Sequence, residues 1–157
     1  MAEALRANTI LKRLDFREPS FFRDMRAAEI VMRALVGHPS VTHLFFGGGA
    51  AALSAADLTI LGAAMGALVA ADATALCCLA FQRVMLNEDC LVPLVNALPR
   101  NRHLRQLSLP QADLSEAFVR EQLLPAVSAN TALRHLDAGP AARDAELLVR
   151  ERPPING

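Results

Sequence analysis

The chain has 157 residues, of which 53% are hydrophobic and only 4% aromatic, with neither Trp nor Tyr, so its length and composition predict one domain with an aliphatic core of Leu, Val, Ala and a few Phe. Sixteen basic side chains balance sixteen acidic ones, which leaves no net field to draw the chain to nucleic acid or to an anionic membrane. Three cysteines, Cys77, Cys78 and Cys90, do not form the even, spaced set of a disulfide framework and point to a reducing, cytoplasmic setting.

Residues 1 to 8 lack the basic start and apolar run of a secretory signal and read as the end of a helix, with Ala4 and Leu5 on its buried side. The segment from Leu11, with Leu14 and Phe16, is the first of five in which apolar residues fall at the first, fourth and sixth places. The others begin at Val41 (Leu44, Phe46), Leu76 (Leu79, Phe81), Leu104 (Leu107, Leu109) and Leu133 (Leu136, Ala138). Self-similarity at roughly 30 residues marks a repeat architecture, and the chain opens in mid-repeat. Asn8, Asn101 and Asn130 each stand three positions before such a segment, where Asn tolerates the left-handed conformation that ends a helix.

Each segment is followed by a predicted helix. Arg17 to Gly37 is mostly helical, with Ser20 as cap and Phe22, Met25, Val31, Met32 and Leu35 as apolar positions. The second strand runs into Gly47-Gly48-Gly49, and Ser54 with Asp57 forms a capping box for a helix reaching about Ala71. Asn87 caps a shorter helix that Pro93 should kink or confine to its last turns. Asp113 and Glu116 are the predicted capping pair of the next helix, which runs to about Ser128 past Pro125. Gly139-Pro140 then leads to a last helix at Arg143 to Arg150, with Leu147, Leu148 and Val149 packed inward and 151–157 an irregular tail.

From Leu44 to Ala71 the only charge is Asp57, and Gly62 and Gly66 have the G-x-x-x-G spacing of membrane helix pairs. The uninterrupted run after Asp57 is shorter than the ~20 residues a span needs, so a buried helix is expected, with its small residues allowing close approach to the sheet.

With L-x-x-L-x-L segments in place, a helix after each, and the stretch from Ala4 to Asp15, the chain resembles leucine-rich repeats of the ribonuclease-inhibitor-like type, in the variety found in bacterial proteins. The resemblance covers Ala2 to about Val149. It implies an α/β fold, a leucine-rich repeat solenoid in the form of a short horseshoe, with about five parallel strands on one face and helices on the other, in a single domain over 1–157. The family's pattern places Asn or Cys three residues after the last strand leucine; Pro19, Gly49, Val84, Ala112 and Ala141 stand there instead, which predicts irregular turns on the exit side of the sheet.

Because strand side chains alternate, the third, fifth and seventh places face the open side. That gives Arg13, Asp15 and Arg17; His43, Phe45 and Gly47; Cys78, Ala80 and Gln82; Gln106, Ser108 and Pro110; and His135, Asp137 and Gly139. Repeat proteins bind partners across such arrays, and the expected function is non-enzymatic binding of a protein partner there, with Phe45 as an exposed aromatic and Cys78 as a replaceable face residue. The resemblance adds an alternative, a fragment or relative of a bacterial effector delivered into a host cell to select a target. A third reading is a Cys/His hydrolase, since His43 and Cys78 hold equivalent places on adjacent strands with Asp15 diagonal to His43. A flat open sheet offers it no pocket, no water exclusion and no oxyanion donors.

No cofactor and no metal site are expected. Adjacent Cys77 and Cys78 point to opposite faces, and His38, His43, His103 and His135, read as surface or turn histidines, lack paired zinc spacing. Gly47-Gly48-Gly49 lacks the lysine of a phosphate cradle and reads as a turn. With no polar unit covering Leu11, Leu14 and Phe16, association through the N-terminal repeat is expected, either with a second copy as a homodimer or with missing sequence from a longer parent protein.

Overall fold

A computed structural model describes residues 2–18, 20–48 and 53–153. Five strands, β1 (Arg13–Phe16), β2 (His43–Gly47), β3 (Cys78–Gln82), β5 (Gln106–Ser108) and β7 (His135–Asp137), form one parallel sheet in the order of the chain. A second sheet on the exit side pairs two short strands, β4 (Leu86–Asn87) and β6 (Ala112–Asp113). Parallel neighbours need a crossover, and each is helical: α1 (Ala2–Ala7) precedes β1, and α2 (Met25–Leu35), α3 (Ala55–Ala70), α4 (Glu88–Ala97), α5 (Glu116–Phe118) with α6 (Leu124–Ala129), and α7 (Arg143–Arg150) follow the five long strands in turn. Among the described residues no helix is long and apolar enough to cross a membrane.

The sheet register is the one the apolar spacing predicts. Leu14, Leu44, Leu79, Leu107 and Leu136 lie abreast on the helix side, and Phe16, Phe46 and Phe81 form a second row, with Phe46 5.5 Å from Phe16 and 5.0 Å from Phe81. The interior strands bury these residues fully, as do Val41, Leu76, Leu104 and Leu133 at the start of their segments. On β1, Leu11, Leu14 and Phe16 are only half-buried.

A polar ladder runs beneath the strand starts. The Asn130 side chain accepts from the N–H groups of Ala132 and Leu133 and donates to the carbonyls of Leu98 and Asn101. Asn101 repeats this one unit earlier, accepting from His103 and Leu104 and donating to Val69. Asn8 accepts from Ile10 and Leu11. Both Asn101 and Asn130 are extended (φ −78° and −77°), so it is side-chain bonding, not left-handed backbone, that selects Asn here. His38 holds the same place in the second unit and is buried: Nδ1 accepts from Ser40 and Val41, and Nε2 donates to the Leu5 carbonyl. The third unit has Ala73 there, and its neighbour Asp72, in a left-handed turn (φ 47°), reaches out to the Arg102 N–H and His103 Nδ1. Burial works against the Asp72 charge, yet these bonds outweigh it and hold the carboxyl below its usual value.

Several local expectations are corrected. Asp24, not Ser20, caps α2, because a single 3-10 turn at Phe21–Arg23 intervenes and the Asp24 carboxylate accepts from Ala27 N–H. Ser115, not Asp113, caps α5, since Asp113 is committed to β6, and the Ser115 N–H donates to Glu88. The Ser54–Asp57 capping box and the Asn87 cap form as predicted. The exit side is partly regular, because Val84 and Ala112 are buried where β4 and β6 pair. Pro19 and Gly49 lie outside the described residues. Ala4 is exposed on α1, and on α7 Leu147 and Leu148 are exposed while Ala145 and Val149 face the core.

The small residues of α3 face α4 rather than the sheet. A Cβ on Gly62 would collide with the backbone carbonyl of Cys90, and one on Gly66 would lie 2.6 Å from the Pro93 side chain. Pro93 sits inside α4, facing the groove that Gly66 leaves. Pro125 follows a π-helical turn, Val119–Leu123, that joins α5 to α6. The wider turn passes the position where proline removes an amide donor.

Candidate functional site: the open sheet face

Alternation along the strands carries the predicted face residues to the side away from the helices, in rows set by the register. Arg13, His43, Cys78, Gln106 and His135 form one row, and Asp15, Phe45, Ala80, Ser108 and Asp137 the next. Gly47 and Gln82, the last residues of β2 and β3, pair in a third row, with Arg17 beside Gly47. Pro110 and Gly139 fall past the strand ends. Gly139 sits at φ 80°, where an added Cβ would lie 3.0 Å from the Ala112 carbonyl.

The β1–β2 end of this face is a connected cluster. The Arg13 guanidinium lies 4.2 Å from the Phe45 ring centre and that of Arg17 5.3 Å from it, with His43 stacked alongside at 6.2 Å. Cations over an aromatic face are held by its quadrupole, so the half-exposed ring and the two guanidiniums fix one another. Arg17 also grips the Asp15 carboxylate with Nε and Nη2 and donates from Nη1 to Gln82 at 3.2 Å. Hydrogen bonding from Arg17 holds the Asp15 carboxyl below its usual value. Thr42, which the spacing did not single out, bonds His43 Nδ1 at 2.8 Å and the Lys12 carbonyl at 2.8 Å. Its signal was only its place before the strand.

The rest of the face is quieter. Cys78 and Ala80 point outward by register but are 3% and 2% exposed, because larger side chains on the flanking strands cover small ones in the sheet centre. Cys78 is therefore no exposed contact residue, and burial pushes its thiol up rather than toward the reactive thiolate. Cys77 is half-buried and its Sγ donates to the Thr42 carbonyl at 3.3 Å. Gln106 and His135 are exposed, and Ser108 reaches Asp137 at 3.3 Å. Among the described residues no group of three His, Cys, Asp or Glu is placed to hold a metal ion. An open cleft of about 360 Å³ does lie at the exit edge, between Asp15, Arg17, Glu18, Gly47, Gln82 and Arg83, where a flat face was expected.

No protein-family model matches the chain, and no curated protein does. A solved structure described as leiomodin-1 actin-binding site 2 is similar at a TM-score of 0.70 with 11% identity, over 94% of this chain and 84% of that one. At that identity the likeness is one of fold.

Proposed function

We propose that the chain is a non-enzymatic binding module that takes a protein partner on the open face of its sheet. We propose further that it is built as a short leucine-rich repeat solenoid of the ribonuclease-inhibitor-like type. Five strands with one apolar register, and an Asn or His at the same place before four of them, support the repeat reading.

The observation that carries the binding reading is the Arg13–Phe45–Arg17 cluster. It presents aromatic and guanidinium groups, the types that dominate interface energetics, already ordered by contact with one another. Preordered groups lose less entropy when a partner arrives. The similar solved structure carries the name of a binding site for a protein, which is in keeping with this use of the fold. The Cys/His alternative is less well supported, since the Cys78 thiol is buried and its pKa raised.

Affinity capture from a cell extract with the intact chain and with Phe45→Asp tests the proposal. A specific partner whose affinity falls about 30-fold or more in the variant, with unchanged circular dichroism, is expected. An identical set of partners for both chains would overturn it.

A further inference from the structure

We infer that β1 is a self-pairing edge, at which two copies of this chain join antiparallel about a two-fold axis through Leu14. The inference rests on the edge of β1 and not on a partner for the open face, although it shares Arg13 with the cluster described there.

The first ground is burial. At one register position, Leu44, Leu79, Leu107 and the far-edge Leu136 are all buried, whereas Leu14 is half-buried. The far edge is closed by α7 and by Arg152, whose guanidinium donates to the carbonyls of Leu133 and Val127. Cover on β1 is thinner: Phe21 packs on Phe16 at 4.9 Å, but α1 has no buried residue and Ile10 beside the strand is 82% exposed.

The second ground is the direction of the backbone groups. The Lys12 carbonyl accepts from His43 N–H, so in an evenly spaced parallel ladder the peptide groups of Leu14 face β2 and those of Arg13 and Asp15 face outward. An antiparallel partner must exchange bonds with those two residues. Only three two-fold registers lie within reach. Centring on Arg13 sets Arg13 against its own copy, and centring on Asp15 sets Asp15 against its own copy. Centring on Leu14 sets each Arg13 opposite the other chain's Asp15 as hydrogen-bonded pairs, with the two Leu14 side chains meeting on the core side. Opposite charges directly across a strand pair favour it, and like charges oppose the other two.

Charge also disfavours head-to-tail stacking. Extending the observed register from β7 of one copy to β1 of another would place Asp137 opposite Asp15 and His135 beside Arg13. The closed dimer is the remaining arrangement, and it joins the sheets into ten continuous strands.

Two charge variants of the whole chain test this. Arg13→Asp gives an acidic edge and Asp15→Arg a basic one, so each should repel its own copy and attract the other. Light scattering across a concentration series should give the wild type twice the 16.9 kDa chain mass, each variant alone one chain mass, and the equimolar mixture a 1:1 dimer. Self-association of each variant should weaken about tenfold or more. Recovery in the mixture shows that both variants fold. A wild type that stays monomeric at the highest concentration, a variant that dimerises alone as well as the wild type does, or a mixture that gives no heterodimer would each overturn the register. Amide exchange adds a check, since Arg13 and Asp15 N–H should slow with concentration.

Discussion

At the residue scale, the side chains that tie down the turns before four of the five strands are polar, and their number of bonds ranks them. Asn130 serves four backbone groups and is 1% exposed, while Asn8 serves two at the half-buried first turn. Orphaned buried polar groups each cost desolvation, so Asn130→Ala should lose about 2–4 kcal/mol and Asn8→Ala about 1 kcal/mol or less in urea unfolding. Equal losses would contradict the ladder. Cys90 offers a second residue-level readout. Burial pushes its thiol up to about 12, so the folded chain keeps the proton where the unfolded chain, near 8.5, gives it up. Stability from this group is complete below about pH 8.5 and declines as pH rises toward 12. In Cys90→Ala, denaturant midpoints against pH should lose that part of the alkaline decline; an unchanged slope would assign the decline to other groups.

At the element scale, the α3–α4 contact depends on what is missing from α3. Gly62 and Gly66 let the Cys90 carbonyl and the Pro93 ring approach the helix backbone. Alanine is the better helix former by roughly 1 kcal/mol, so on propensity alone Gly62→Ala would stabilise. The colliding atom is backbone, which cannot rotate away, and overpacking in a packed core costs about 1–3 kcal/mol. We therefore expect Gly62→Ala to lower the thermal midpoint, with Ala63→Gly, on the exposed side of α3, lowering it only by the propensity difference. A raised midpoint for Gly62→Ala would mean the two helices are farther apart than described.

At the scale of the whole molecule, the two ends of the sheet differ. The β7 end is closed by Arg152, whose guanidinium donates to the Val127 carbonyl of α6 and to the Leu133 carbonyl at the start of its own segment, and by the buried Ala145 and Val149 of α7. Burial lowers the Arg152 pKa, and the Arg134 charge beside it adds to that shift, a position held only because the guanidinium is bonded. On the repeat architecture proposed above, in which each unit mainly feels its neighbours, Arg152→Ala should speed amide exchange through β7 and α7 while β2 and β3 keep their protection. Uniform acceleration over all five strands would instead show one indivisible core. At the β1 end the corresponding leucines stay half-exposed, and the edge-pairing register is the feature there to test.

The apolar positions at the first, fourth and sixth places determined the five parallel strands, their order and the pairing of face residues, because period-two alternation and an unbroken register leave one way to set Leu14, Leu44, Leu79, Leu107 and Leu136 abreast on the helix side. Capping chemistry was legible at Ser54 and Asn87, where acceptor and amide are three residues apart. Asp24 and Ser115 were hidden because a 3-10 turn and a second small sheet shifted the helix starts, and neither leaves a local signature. What only the tertiary structure decided are contacts between residues far apart in sequence. His38 stands in for an asparagine because its ring reaches Leu5, Gly62 meets α4 rather than the sheet, and Cys78, outward by alternation, is covered by its neighbours. Alternation fixes which way a side chain points, whereas its exposure depends on the size of the side chains beside it on other strands.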